Sequence, residues 1–167
     1  MPTLLIHNAA ELLTMAGPDR ARVGAELGEL GIVPDGALFA RDGIVEAVGP
    51  TAEVAGRAEA DTVRVDATGM AVAPGFVDAH THPVFAGSRA AEYEMRVSGR
   101  TYEEIAKAGG GIRSTVRHTR AASEEALFEI AARHARTFLA HGTTTIEAKS
   151  GYGLTVEAEL KQLRVLA

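Results

Sequence analysis

The sequence predicts an α/β chain in two parts. A β-rich segment covers residues 1–70, and parallel βα units over residues 71–167 begin a larger fold without completing it. Three observations carry this. Glycine and proline punctuate the first part densely, and an Asp42-Gly43 pair there separates two apolar runs, the signature of a tight hairpin. After Pro74-Gly75 the pattern becomes strand, helix, strand, helix, the order of parallel βα units. A closed eightfold barrel takes roughly 250 residues, more than the 167 of the whole chain, so the sequence reads as the N-terminal part of a longer fold.

In the first part, "TLLIHNAAELLT" is an apolar run and "GALFARDGIVEAVGP" holds the hairpin. "DTVRVDATGM" alternates Val63 and Val65 with Arg64 and Asp66 before a turn at Thr68-Gly69. In the second part, "GFVDAHTHPV" reads as a buried strand stopped by Pro83. "RTYEEIAKAGGG" opens with Thr101 three residues before Glu104, a capping box. It closes on Gly109-Gly110-Gly111, which suits a turn of positive φ better than a phosphate cradle, because no Gly-Lys-Ser/Thr follows. "SEEALFEIAARHARTFLAHG" is the clearest helix. Ser123 caps it, Glu124 and Glu125 sit at the positive end of its dipole, and Leu127, Ile130, Ala131, His134, Phe138 and Leu139 lie near one face before Gly142. "TTTIEAKS" is rich in β-branched residues, a short strand, and "TVEAELKQLRVLA" starts a further helix.

Composition narrows the classes. With 46% hydrophobic and 23% charged residues the chain reads as soluble and globular, and a net charge of −5 gives no basic surface for nucleic acid or an anionic membrane. No apolar run approaches the roughly 20 residues that span a bilayer. The N-terminus lacks a basic region and carries Asn8 and Glu11 inside its apolar stretch, so it is not a signal peptide. The absence of cysteine suits the cytoplasm and leaves only His, Asp and Glu as metal ligands.

The residues that carry chemistry lie in "APGFVDAHTHPVFAGSR". Side chains two apart on a strand share a side, so His80 and His82 can face one point beyond its carboxyl end, where parallel βα folds build their sites. Two imidazoles there read as ligands of Zn or Fe(II) rather than as ordinary loop histidines. Asp78 is not counted as a ligand. Lys149 reads as a structural or ion-pair residue, and His7, His118, His134 and His141 as ordinary surface or core histidines.

"PGFVDAHTHPVF" resembles the first barrel strand of the amidohydrolase superfamily. "HTHPVFAGSRAAEYEMR", "TYEEIAKAGGGIRSTVRHTR", "LAHGTTTIEAKSGYGL" and "ELKQLRVL" together resemble its imidazolonepropionase family. The resemblance implies the start of a (β/α)8 TIM barrel of the metal-dependent hydrolases over residues 71–167. Part of a small β-sandwich domain would precede it over residues 1–70. It further implies one divalent metal, Zn or Fe, on His80 and His82, with Arg89 and Tyr152 as substrate contacts. By residue type alone, Arg89 also fits a solvated loop charge and Tyr152 a rim aromatic. The remaining metal ligands and the acid–base residues are expected downstream of Ala167, which leaves the chain by itself catalytically silent. The implied reaction is hydrolysis of 4-imidazolone-5-propanoate to N-formimidoyl-L-glutamate, with a homodimer when full length. Two other readings stay open: another cyclic-amide hydrolase or deaminase of the superfamily, or a short non-enzymatic binding or assembly module.

Overall fold

Asp42 and Gly43 turn the chain back on itself as their composition demands. In the computed structural model, which describes residues 2–167, they have φ 51° and 79°, the left-handed pair that a type I′ hairpin needs. The turn joins β2 (Ile32–Arg41) to β3 (Ile44–Pro50) with Arg41 opposite Ile44. On the other side of β2 lies β1 (Thr3–Leu13), also antiparallel, with Leu5 opposite Phe39. A short helix, α1 (Thr51–Val54), leads on to β4 (Val63–Asp66) and β5 (Ala71–Val72), both parallel to β1. The resulting sheet has the order β3-β2-β1-β4, with β5 also on β1. These strands lie in a compact unit ending at Pro74; a second unit spans Gly75–Ala167.

The sheet of the first unit is apolar on both faces. Leu5, Ala37 and Phe39 pack with Val54, while their neighbours Ile6 and Leu38 pack with Ala9, Leu12 and Ala67. Adjacent strand residues point to opposite faces, so these are two separate clusters. The register slips between Ile6 and Ala9, where Asn8 adopts φ 58°. Asparagine tolerates that region because its side chain bonds locally, and here Nδ2 donates to Asp66 Oδ1 at 3.1 Å. Val63 and Val65 alternate as expected but stay exposed.

The second unit begins with β6 (Phe76–Thr81) and ends with β7 (Thr143–Ala148) followed by α6 (Val156–Leu166). Between the strands run α2 (Ala90–Val97), α3 (Tyr102–Lys107), α4 (Ile112–Ala121) and α5 (Glu124–Ala140). β6 and β7 pair in parallel, as the βα pattern requires. The caps form as read. Thr101 Oγ1 accepts from Glu104 N while Glu104 Oε2 accepts from Thr101 N at 2.8 Å, and Ser123 Oγ accepts from Ala126 N. Gly109 and Gly111 take φ 87° and 76°.

One expectation needs correction. The strand in "GFVDAHTHPV" stops at Thr81, one residue before His82, and is not buried: Phe76 to His80 are exposed and only Thr81 is covered. A parallel sheet is buried when neighbours lie on both faces and edges, and among the described residues β6 pairs with β7 alone. The core of the unit forms instead under the loop after β6, where Val84 and Ala86 pack on Leu127, with Ile130, Ala131, Val165 and Leu166 around them.

Helices α2 and α4 are additions that the apolar periodicity did not reveal. α4 buries Thr115, Val116 and Thr119, a helical stripe written mostly in threonine. Fully buried Thr119 has a task that an aliphatic residue lacks, since its Oγ1 accepts from Ala86 N at 3.0 Å and fastens the loop. Thr119→Val keeps the shape and removes the acceptor. It is expected to lower unfolding stability by about 1–3 kcal/mol, read as a shift in the urea midpoint, because a buried N–H is left unpaired.

Candidate metal and substrate site

The carboxyl ends of β6 and β7 are knitted together. Thr81 Oγ1 donates to Glu147 O at 2.8 Å, and Lys149 N donates to Thr81 O at 2.9 Å. This register brings His80 and His82 beside Glu147 and the "SGYG" loop. The two imidazoles stand edge to face with centroids 5.3 Å apart, and the Tyr152 ring lies 5.2 Å from His82. His80 is exposed, its Nδ1 3.9 Å from Glu147 Oε2, while Lys149 Nζ ion-pairs with Glu147 Oε1 at 3.1 Å. Of the structural and ion-pair roles open to Lys149, the structure shows the ion pair. Asp78 Oδ1 accepts from His80 N at 3.1 Å, which turns that carboxylate to its own backbone.

His82 is half-buried and its Nδ1 is enclosed without a hydrogen-bond partner. Such a nitrogen in a folded protein calls for an explanation, and a bound ion is one. Two adjacent imidazoles fit the His-x-His half of a metal site. Among the described residues no cluster of three or more His, Asp or Glu completes it.

The wall beside His82 is aromatic. Phe85 stacks on His134 at 5.1 Å and 25°, and lies 5.7 Å from Tyr152. His134 Nδ1 donates to Pro83 O at 2.8 Å, so a histidine expected to be ordinary anchors the loop that follows the motif. His82, Pro83, Phe85, His134 and Phe138 line one largely apolar hollow.

Arg89 stands apart from this cluster. Its Nε and NH2 both reach Glu92 Oε2 at 2.8 Å, while its side chain stays about half exposed (48%). Glu92 Oε1 in turn accepts from Gly111 N at 2.9 Å. Burial opposes ionisation of Glu92, but the Gly111 amide and the Arg89 guanidinium outweigh it and hold the carboxyl below the usual range. The Arg-x-x-Glu spacing at a helix start was a signal for this pair, since residues three apart are neighbours there.

The loop that presents Tyr152 is built around Glu159, which the sequence did not single out. Glu159 Oε1 accepts from Gly153 N at 2.8 Å and from Leu154 N at 2.6 Å. Desolvation raises its pKa, but the amide of Leu154, the Ser150 hydroxyl and the amides of Gly153 and Gly151 together hold it below the ordinary carboxylate range. Fully buried Gln162 offers Oε1 to Tyr152 N at 3.4 Å and donates Nε2 to Ala158 O at 3.0 Å. The glycines are sterically required: a Cβ on Gly151 (φ 146°) would lie 3.0 Å from His82 Cε1, and one on Gly153 2.6 Å from Ala158 C.

The fold defines the class first: the chain has part of the fold of the amidohydrolase-type hydrolases. It superposes on E. coli guanine deaminase (TM-score 0.65, 20% identity, 99% of this chain and 33% of that one) and on an adenosine deaminase from Xanthomonas campestris with bound zinc (0.58, 18%, 96% and 31%). No protein-family model matches the chain. Sequence relatives are more specific: it is 55% identical over 159 residues to the imidazolonepropionase of Solibacter usitatus and 52% over 165 residues to that of Symbiobacterium thermophilum. These matches cover 95% and 98% of this chain but 38% of either relative. The chain is thus a homologue of imidazolonepropionase and spans about two-fifths of that protein's length.

Proposed function

We propose that this chain forms the opening part of an imidazolonepropionase, which hydrolyses the ring amide of 4-imidazolone-5-propanoate to N-formimidoyl-L-glutamate. The observation that carries the reading is 55% identity over 95% of the chain to a protein of that name. Support comes from the gathering of His80, His82 and Tyr152 at the ends of two parallel strands. The same reading makes the full-length protein a cytoplasmic homodimer acting on a small molecule. Among the described residues no helix is long and apolar enough to cross a membrane.

In this proposal His80 and His82 hold one divalent ion, Zn or Fe, through imidazole nitrogens. When bound, such an ion lowers the pKa of water and polarises a carbonyl. A catalytic zinc site normally takes three protein ligands, so the other ligands and the proton-shuttling carboxylate belong to the part of the relatives that this chain does not span. Arg89 contributes direction: the guanidinium edge not engaged by Glu92 pairs with the substrate's propionate, a match of planar fork to carboxylate. Tyr152 offers its phenol beside His82, where the ring carbonyl would lie. Phe85 and Pro83 keep water from that side.

The test is a graft. This chain replaces the matching segment of the Solibacter usitatus protein, and loss of imidazolone absorbance is followed. The expected result is turnover by the graft and none by the 167-residue chain by itself. A graft that folds and binds metal yet hydrolyses only other cyclic amides would overturn the assignment, and turnover by the isolated chain would overturn its silence.

A further inference from the structure

We infer that Glu159 is a positioning residue: by gathering the amides of the "SGYGL" loop on its carboxylate, it holds the Tyr152 ring against His82. The inference rests on the reading above only where it links Tyr152 to substrate.

The geometry argues for it in three ways. The loop has no regular hydrogen-bonding partner of its own, since β7 ends at Ala148 and α6 begins at Val156. Its amides must pair elsewhere, and Gly153 N and Leu154 N both point at Glu159 Oε1. Leu154 sits at φ 54°, a conformation that non-glycine residues adopt only when their surroundings impose it. The carboxylate supplies that constraint. Converging N–H groups form an anion-binding nest, and here the anion is the chain's own.

Glu159 is also braced. Thr155 caps α6 by accepting from Ala158 N at 3.3 Å, and Gln162 Nε2 donates to Glu159 Oε2 at 3.3 Å. Arg120 Nε grips the far side of the loop through Gly153 O at 2.6 Å. The carboxylate lies in the first turn of α6, where the helix dipole favours negative charge. Tyr152 directly precedes Gly153, so the bonds from Gly153 N and Leu154 N to the carboxylate fix the chain on the C-terminal side of its ring. Without the carboxylate only the long 3.4 Å bond from Tyr152 N to Gln162 and the Arg120 bond to Gly153 O would hold this stretch.

Glu159→Ala and the milder Glu159→Gln are compared in the graft, and Tyr152→Phe serves as a reference. The first readout is structural: the nuclear Overhauser contact between the Tyr152 ring and His82 Hε1 in tyrosine- and histidine-labelled protein. It is expected to disappear in Glu159→Ala and to weaken in Glu159→Gln, whose amide oxygen still accepts. The second readout is kinetic: KM rises about tenfold in Glu159→Ala, toward the value of Tyr152→Phe, with kcat changed less. A general loss of structure would lower kcat and metal content together. An intact ring contact in both Glu159 variants overturns the inference, even if Tyr152→Phe raises KM. If Tyr152→Phe leaves KM unchanged while Glu159→Ala loses the contact, the inference stands and the substrate role of Tyr152 falls.

Discussion

Replacing His82 by alanine in the full-length graft is expected to remove its metal and its turnover together. His82 does two things at once. Its imidazole faces His80 across 5.3 Å, and its ring edge closes against Gly151 and Tyr152. Metal binding at structural zinc sites is worth roughly 10–16 kcal/mol over four ligands, so one ligand stands for about 3–4 kcal/mol, or on the order of 10²–10³ in affinity. Bound metal per chain, measured by elemental analysis after gel filtration, should fall from near one to near zero. kcat/KM should fall at least in proportion. His134→Ala is the informative contrast. It removes the imidazole that holds Pro83 O and stacks on Phe85, yet leaves both candidate ligands in place. Metal should be retained there with an affinity loss within the roughly 10–100-fold that supporting residues account for. Full metal occupancy in His82→Ala would remove the histidine pair from the site.

What the sequence revealed and what it hid divide along physical lines. The hairpin was legible because Asp42-Gly43 is one of few pairs that accept two positive φ angles in succession. The capping box at Thr101 and the cap at Ser123 were legible because capping needs particular side chains at fixed offsets. The nearness of His80 and His82 was expected from the two-residue period of a strand, but the strand ends at Thr81 and it is the loop beginning at His82 that brings the second ring to 5.3 Å from the first. Helix α4 was hidden because its buried stripe is Thr115, Val116 and Thr119, and threonine counts as polar until its hydroxyl is seen to serve Ala86 N. The exposure of β6 was hidden because an apolar run states only that cover is wanted. Glu159 was hidden for a different reason. An acidic residue early in a helix reads as a solvated charge, and only the folded loop shows which amides converge on it.

Gly153→Ala should be strongly destabilising to the second unit. The new Cβ would lie 2.6 Å from Ala158 C and 2.7 Å from Glu159 N, both backbone atoms in the first turn of α6, so no side chain can swing aside to relieve it. Either the loop lifts or the helix start moves. Both break the Gly153 N bond to Glu159 and the Arg120 bond to Gly153 O. Overpacking of this kind costs about 1–3 kcal/mol, and a lost hydrogen bond to a charged group about 1.5–3 kcal/mol more, so a loss near 4 kcal/mol is expected in urea unfolding. Gly151→Ala adds backbone strain at φ 146° to a Cβ that meets the His82 ring at 3.0 Å, so it should lower metal affinity and the unfolding midpoint together. Gly56→Ala provides the baseline. Nothing lies within 4 Å of its Cβ position and its φ is not positive, so it should be neutral or stabilising by up to about 1 kcal/mol. If Gly153→Ala unfolds at the same urea concentration as Gly56→Ala, the close seat of the loop on α6 is wrong, and with it the account of how Tyr152 is held.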